Sequence, residues 1–382
     1  MTRLNKFFIH IIFLQIVILF CMPMESYAQK ENKLFTDTLD NAFDVSHYLY
    51  NLHGFLPVIS PITEPAVGYG AAFAGLFFIP KKEVVEKKFQ MPDIVGAAYG
   101  RTENGTWFAG GGYIGFWKKD HIRYRGVLGY GEINLKYYGK GDNILANNPV
   151  KFTIESYFLL QQAIFRLGDS KFMLGGKYQF GKTTITFFKD NELPFVDPKD
   201  FELTNSGLGF IAEYENFNNI LSPSKGLRVN LTYDQYLQSL GSDRDFGRFT
   251  FFSHYYLPVN KFWTSGFRVE TQLATNNTPF YMMPFINLRG VPVMRYQGAL
   301  TALVETEQEV GFTKRWSMVG FAGIGTTYNS IEDMDKGSTA WNAGTGFRYL
   351  IARLLGLKMG IDVAHGPEDW AVYVVVGSSW MK

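Results

Sequence analysis

Three glutamates at alternate positions, Glu305, Glu307 and Glu309, are the residues whose types and spacing most invite chemistry. On a β-strand this spacing puts all three carboxylates on one face, where they need a cation or face water. Just upstream, Asn287-Leu288-Arg289-Gly290-Val291-Pro292-Val293-Met294-Arg295-Tyr296-Gln297-Gly298 supplies two arginines. Its Leu288, Val291, Val293 and Met294 make it too apolar for a solvated tip. It reads either as an ordinary Gly-Pro surface turn or as a loop that tucks into something, since buried backbone needs partners. Catalytic patterns are missing: there is no Gly-x-Ser-x-Gly elbow and no His-Glu-x-x-His. His47, His53, His121, His254 and His365 are scattered and read as structural or lumenal. Gly126-x-x-Gly129-x-Gly131 lies in a strand with no helix after it, so it is not a nucleotide loop. The expectation is a protein that is not an enzyme and carries no cofactor or metal.

The elements that must position these residues are strands. Aromatic residues make up 17% of the 382 residues, with 39 glycines, a composition of many strands with glycine kinks and aromatic belts. The formal net charge of +2 argues against a nucleic-acid partner. Arg3 and Lys6, the apolar run Phe7 to Phe20, and Ser26-Tyr27-Ala28 form an export signal, with cleavage expected before Gln29. The single cysteine, Cys21, would leave with it, so no disulfide is expected. Residues 29–64 read as a short periplasmic or lumenal plug, with a helix over Asp40 to Asn51; Pro57, Pro61 and Pro65 forbid a regular central strand there.

From residue 65 to 382 the pattern is strand, turn, strand. On Gly226–Asp234, Leu227, Val229, Leu231 and Tyr233 share one face, and Arg228, Asn230, Thr232 and Asp234 the other. Trp263–Ala274 and Leu355–Ala364 alternate in the same way. A membrane barrel turns its apolar face to lipid and its charged face to a polar lumen. Trp370 and Trp380 flank Val372, Val374 and Val376 on one face, as an aromatic girdle would. Ten steps of ~3.3 Å at a tilt of ~40° project to ~25 Å, the height of an outer-membrane apolar band. The fold class is therefore all-β: a transmembrane antiparallel barrel of roughly 14 to 16 strands, with 16 preferred because single-chain barrels take even numbers. The pattern counts about fifteen strands, so either Phe55–Pro61 is an irregular first strand or one of the fifteen is split or merged.

With the barrel in hand, Leu288-Arg289-Gly290 followed by Arg295-Tyr296-Gln297-Gly298 resembles the long-loop signature of the BamA/TamA family, also called bacterial surface antigens. Gly346-Phe347-Arg348-Tyr349, residues 356–366 and Asn219-Ile220-Leu221-Ser222-Pro223-Ser224-Lys225-Gly226 are similar to other strands and turns of that family. The resemblance spans roughly Pro65 to Trp380. It implies a loop folded into the lumen, with Arg289 meeting acidic groups on the wall and Glu307 as its partner; Glu305 and Glu309 share that face. Family members usually carry an aspartate where this chain has Gly323, which leaves the second anchor weaker or moved to Asp362. Members that fold or translocate other proteins also carry periplasmic POTRA domains, and residues 29–64 are too few to form one. The expected function is help with inserting or translocating polypeptide, or lipid, at the bacterial outer membrane. Outer-membrane lipids, polypeptide clients and periplasmic accessory proteins are the expected partners. The alternatives are a passive or gated pore for small solutes and, third, a rim enzyme acting on lipid.

Overall fold

The structure is a computed structural model that describes residues 35–50, 54–79, 92–139, 145, 148–187, 199–330 and 337–380. The expected export signal, its cleavage site and Cys21 lie outside the described residues. A five-residue helix, α1 (Ser46–Tyr50), is shorter than the sequence suggests. Sixteen strands follow. The first eight are β1 (Gly54–Ile62), β2 (Gly70–Ile79), β3 (Asp93–Thr102), β4 (Trp107–Trp117), β5 (Ile122–Tyr137), β6 (Val150–Arg166), β7 (Phe172–Phe187) and β8 (Lys199–Glu215). The second eight are β9 (Gly226–Tyr236), β10 (Phe246–Pro258), β11 (Trp263–Ala274), β12 (Leu300–Gly311), β13 (Trp316–Tyr328), β14 (Gly337–Ala352), β15 (Leu357–His365) and β16 (Trp370–Val376).

Each strand pairs antiparallel with its sequence neighbours in a single 16-stranded meander. Among the described residues no ladder joins β1 to β16, so the barrel is nearly closed, with a seam between its first and last strands. Side chains alternate between lipid and lumen. Phe267, Val269, Tyr233 and Leu231 are exposed on the outside, while Arg268, Glu305, Asn230 and Asp234 are buried within.

Two expectations need correction. The boundary at residue 65 is wrong: Gly54–Ile62 is the first barrel strand, in register with β2 from Gly54↔Phe78 to Ile62↔Gly70. Pro57 and Pro61 are tolerated because β1 has only one partner. Lying four residues apart, they remove N–H groups from the same edge, the one an edge strand can leave unpaired.

The second correction concerns Trp380, which is not a girdle residue. β16 stops at Val376, and Gly377 takes a left-handed φ of 79°, which turns the tail inward. Trp380 is buried, and its indole N–H donates to Glu305 Oε2 at 2.8 Å. Trp370 stays outside, edge-on to His365, which stacks on Trp341. The girdle at the other end comes from Trp117, stacked on Tyr124, and from Trp316 against Tyr349. The span argument transfers to β4, where Trp107 and Trp117 lie ten residues apart on the outer face, ~33 Å along the strand.

Candidate functional site

The long connection between β11 and β12 builds the site. Its two legs pair at Phe285↔Gln297. Ile286 N–H donates to Tyr296 O (3.0 Å) and Gly298 N–H to Pro284 O (3.1 Å), forming a neck. A side chain at Gly298 would put its Cβ 2.2 Å from Thr327 Oγ1, so only glycine lets the neck lie against β13. Below the neck, Gly290 has φ 84°, and the tip 287–295 dips into the lumen. Apolar contacts hold it on two sides. Ile286, Leu288 and Val291 pack with Leu303 and Ala340, and Met294 packs with Leu135, Phe152 and Ile185. The apolar character that disqualified this stretch as a solvated tip is thus its packing surface.

Arg289 ends up with three carboxylates. Its Nη1 donates to Glu307 Oε2 (2.8 Å) and Asp362 Oδ2 (2.7 Å); Nε and Nη2 donate to Glu305 Oε1 (3.2 and 3.0 Å). Its guanidinium carbon lies 3.5 Å from the Phe321 ring centroid, a cation–π contact. Gly290 N–H donates to Tyr373 Oη at 2.9 Å, tying the tip to β16. The carboxylates are themselves braced. Arg348 pairs with Asp362, Arg268 with Glu305 (3.2 Å), and Asn342 Nδ2 and Trp380 Nε1 donate to opposite oxygens of Glu305 (3.2 and 2.8 Å). Ser379 Oγ donates to Glu307 at 2.8 Å. Such charge-assisted, multiply bonded contacts fix one geometry.

The other residues singled out in the sequence separate from this cluster. Glu309 does not touch Arg289; it accepts from Lys358 Nζ at 2.6 Å. Arg295 and Tyr296 both reach Glu368 on the β15–β16 turn, at 3.0 and 2.6 Å. Gly323 has a reason of its own. A Cβ there would stand 2.7 Å from Asn342 Oδ1 and 3.0 Å from Leu288 Cδ2, so the glycine makes room for the loop while Asp362 anchors the arginine.

One set of contacts went unread in the sequence. At the end of the barrel that carries the β12–β13 turn, Arg315 pairs with Asp37, Asp40 and Asp44 of the segment before β1. Arg353 joins Asp37, and its backbone N–H donates to Asp44 Oδ2 at 2.9 Å. Val45 N–H donates to Ile351 O at 2.8 Å and Tyr349 Oη–H to Phe43 O at 2.7 Å. The Arg353 hydrogen bond holds the Asp37 carboxyl well below the usual carboxylate range, and the Arg315 hydrogen bond lowers Asp40. The spacing 37, 40, 44 was the only available sign, and it lacked its partners.

The model of the Omp85 superfamily domain matches residues 171–286, from the turn before β7 to the neck of the loop. That stretch of the barrel is similar to an Omp85 superfamily domain. By structure the barrel is similar to BamA from Haemophilus ducreyi lacking POTRA domains 1–3, at 12% identity and TM-score 0.57, over 85% of this chain and 70% of that one. It is likewise similar to CdiB from Escherichia coli (12% identity, TM-score 0.59) and to CdiB from Acinetobacter baumannii (12%, 0.55). These two matches cover 85% of this chain, and 62% and 59% of those chains. At such identity the likeness is one of fold. Compared by sequence with curated proteins, the chain matches none.

Proposed function

We propose that this Omp85-type barrel assists, without enzymatic chemistry, the insertion or translocation of polypeptide at the outer membrane, by parting the seam between β1 and β16. Outer-membrane lipids surround it, and polypeptide clients, with or without periplasmic accessory proteins, are its partners; nucleic acid is not. The seam carries the reading. β16 is only seven residues long, β1 holds two prolines, and neither completes a ladder with the other. Unpaired strand edges are templates for an incoming strand. The loop is tied to β16 through Gly290 and Tyr373, and to the β1–β2 connection through Val293 N–H and Glu64 Oε1 (3.2 Å). The pore reading fares worse, because the tip of the loop packs across the lumen from β5–β7 to β12–β14.

The barrel reconstituted into liposomes should accelerate folding of an unfolded outer-membrane β-barrel client, while planar bilayers containing it conduct little. Steady conductance with no effect on client folding would replace this reading with the pore.

A further inference from the structure

The lumen wall has two unlike halves, and the ion pairs of the loop use only one. Strand register places Ala74 and Leu76 of β2, Ile94, Gly96 and Ala98 of β3, and Phe108, Gly110 and Gly112 of β4 on the same face as the buried lumenal residues of β5–β15. On β5 and β6 the same face continues with Val127, Gly129, Phe158 and Leu160. This wall borders an apolar cavity of about 610 Å³, within the range of small-molecule sites. Phe108, Ile114 and Phe158 are 36%, 38% and 42% exposed although they point inward. Barrel interiors are ordinarily polar. Removing such an apolar wall from water is favourable, so an apolar occupant is favoured over solvent.

At its lower edge the wall changes character in one step. Arg125 stands directly across from Ile114, two residues below Val127. Around it, Arg123, Arg166 and Arg228 are engaged by Asp120, Glu213 and Glu215. Four arginines thus face three carboxylates, and Arg125 makes no ion pair with any of the described residues. From Val127 to Ile133 the cavity runs six residues, ~20 Å along the strand. At a ~40° tilt that is ~15 Å of depth, half of the ~30 Å hydrocarbon core.

We propose that this half of the lumen binds one anionic phospholipid, its acyl chain along β2–β6 and its phosphate on Arg125. The dimensions match one leaflet, the lining matches an acyl chain, and the surplus arginine matches a phosphate, which guanidinium binds bidentately. Only β1 separates the wall from the seam, which gives the lipid its route from the membrane. The inference stands apart from the client reading, since a barrel that holds the lipid without folding a client leaves it intact.

The test is native mass spectrometry of the delipidated barrel titrated with phosphatidylglycerol, with phosphatidylcholine of the same chains, and with inorganic phosphate. One phosphatidylglycerol should remain bound after the surrounding lipids are stripped. Ala98→Phe, which fills the cavity, should weaken that retention by about tenfold, ~1.4 kcal/mol. Ala74→Leu, a smaller filling, serves if the first variant misfolds. Arg125→Gln should abolish the preference over phosphatidylcholine. Equal retention in wild type and both filled variants would show surface lipid only and overturn the site. A preference unchanged in Arg125→Gln, or competition by inorganic phosphate without loss of lipid, would overturn the headgroup assignment.

Discussion

The two halves of the lumen wall differ in kind. Along β11–β15, Arg268, Glu305, Arg289, Asp362 and Arg348 form a continuous chain of ion pairs. Along β2–β4 the corresponding face carries alanine, glycine and aliphatic or aromatic side chains, with Thr102 at its end as the one polar residue. Charged groups taken from water must find partners in fixed directions, so the first half tolerates one arrangement of loop and wall. Apolar contact is non-directional, so the second half can accept a guest or a moving neighbour. The rigid half carries the loop, and the permissive half adjoins the β1 side of the seam. An opening seam needs one side that stays put and one that yields.

The contrast breaks most readily at Arg289. Arg289→Ala leaves Glu305, Glu307 and Asp362 around an empty centre, an upper cost of ~3–5 kcal/mol. Arg268 and Arg348 still engage two of the three, so the loss should fall at the lower end. Urea unfolding of the reconstituted barrel should show it, together with new protease cleavage near Gly290–Gly298. Arg289→Lys should recover only part, because an ammonium cannot span three carboxylates. Wild-type stability in Arg289→Ala would mean that the apolar packing of the loop suffices.

A finer test separates the carboxylates. Glu305 accepts hydrogen bonds on both oxygens, from Arg289 and Asn342 on one and from Arg268 and Trp380 on the other. Glu305→Gln must turn an amide N–H₂ toward one of these donor pairs, at ~1.5–3 kcal/mol. Glu307 accepts from Arg289 and Ser379 on Oε2 alone, so Glu307→Gln can turn its amide away and should cost less. Each combined with Arg289→Ala should be less than additive. A larger effect at Glu307 would restore it as the principal anchor.

The same contrast explains what the sequence disclosed. On β9, β11 and β15 the lumen face is charged and the lipid face apolar, so the two-residue period is plain. On β2 and β3 both faces are apolar or small, as in Ala72-Phe73-Ala74 and Gly96-Ala97-Ala98, so the period fades and the cavity went unseen. β1 was legible only as an irregular strand over Phe55–Pro61, because its prolines break the pattern. The loop and its carboxylates were legible through local motif and spacing. Trp380 was misplaced because Gly377 reads as one more strand residue until its positive φ is known. The Asp37–Arg315 contact joins residues 278 apart, and no local pattern encodes that.

The N-terminal contact should respond to pH. Asp37, Asp40 and Asp44 all have carboxyl pKa values below the ordinary 3.8: Arg353 and Arg315 lower the first two, and at Asp44 hydrogen bonds to Arg315 and Ser46 outweigh desolvation. A lowered pKa stabilises the contact fully above the ordinary value and less as pH falls below it. Hydrogen exchange of residues 35–50 should stay slow from pH 7 to about 5 and accelerate toward pH 2–3 after correction for intrinsic rates. Arg315→Ala should give the fast pattern at every pH while the ion pairs around Arg289 persist. Simultaneous loosening of both regions would show that they are one unit.

The smallest effect is expected in the permissive half. Phe108 lies over Gly100, where a Cβ would come within 2.5 Å of its ring, and its outer third faces the lumen. Truncating a closed-core phenylalanine costs ~3–5 kcal/mol, part of it for the cavity left behind. Phe108→Ala opens no closed cavity; it enlarges one already present. Only the partial burial of the ring is lost, about 1 kcal/mol. Urea midpoints should therefore move far less than in Arg289→Ala, while binding of an apolar guest changes. A loss as large as that of a core phenylalanine would show that β2–β6 is packed as tightly as the loop side. The division between a rigid and a permissive half would then fail.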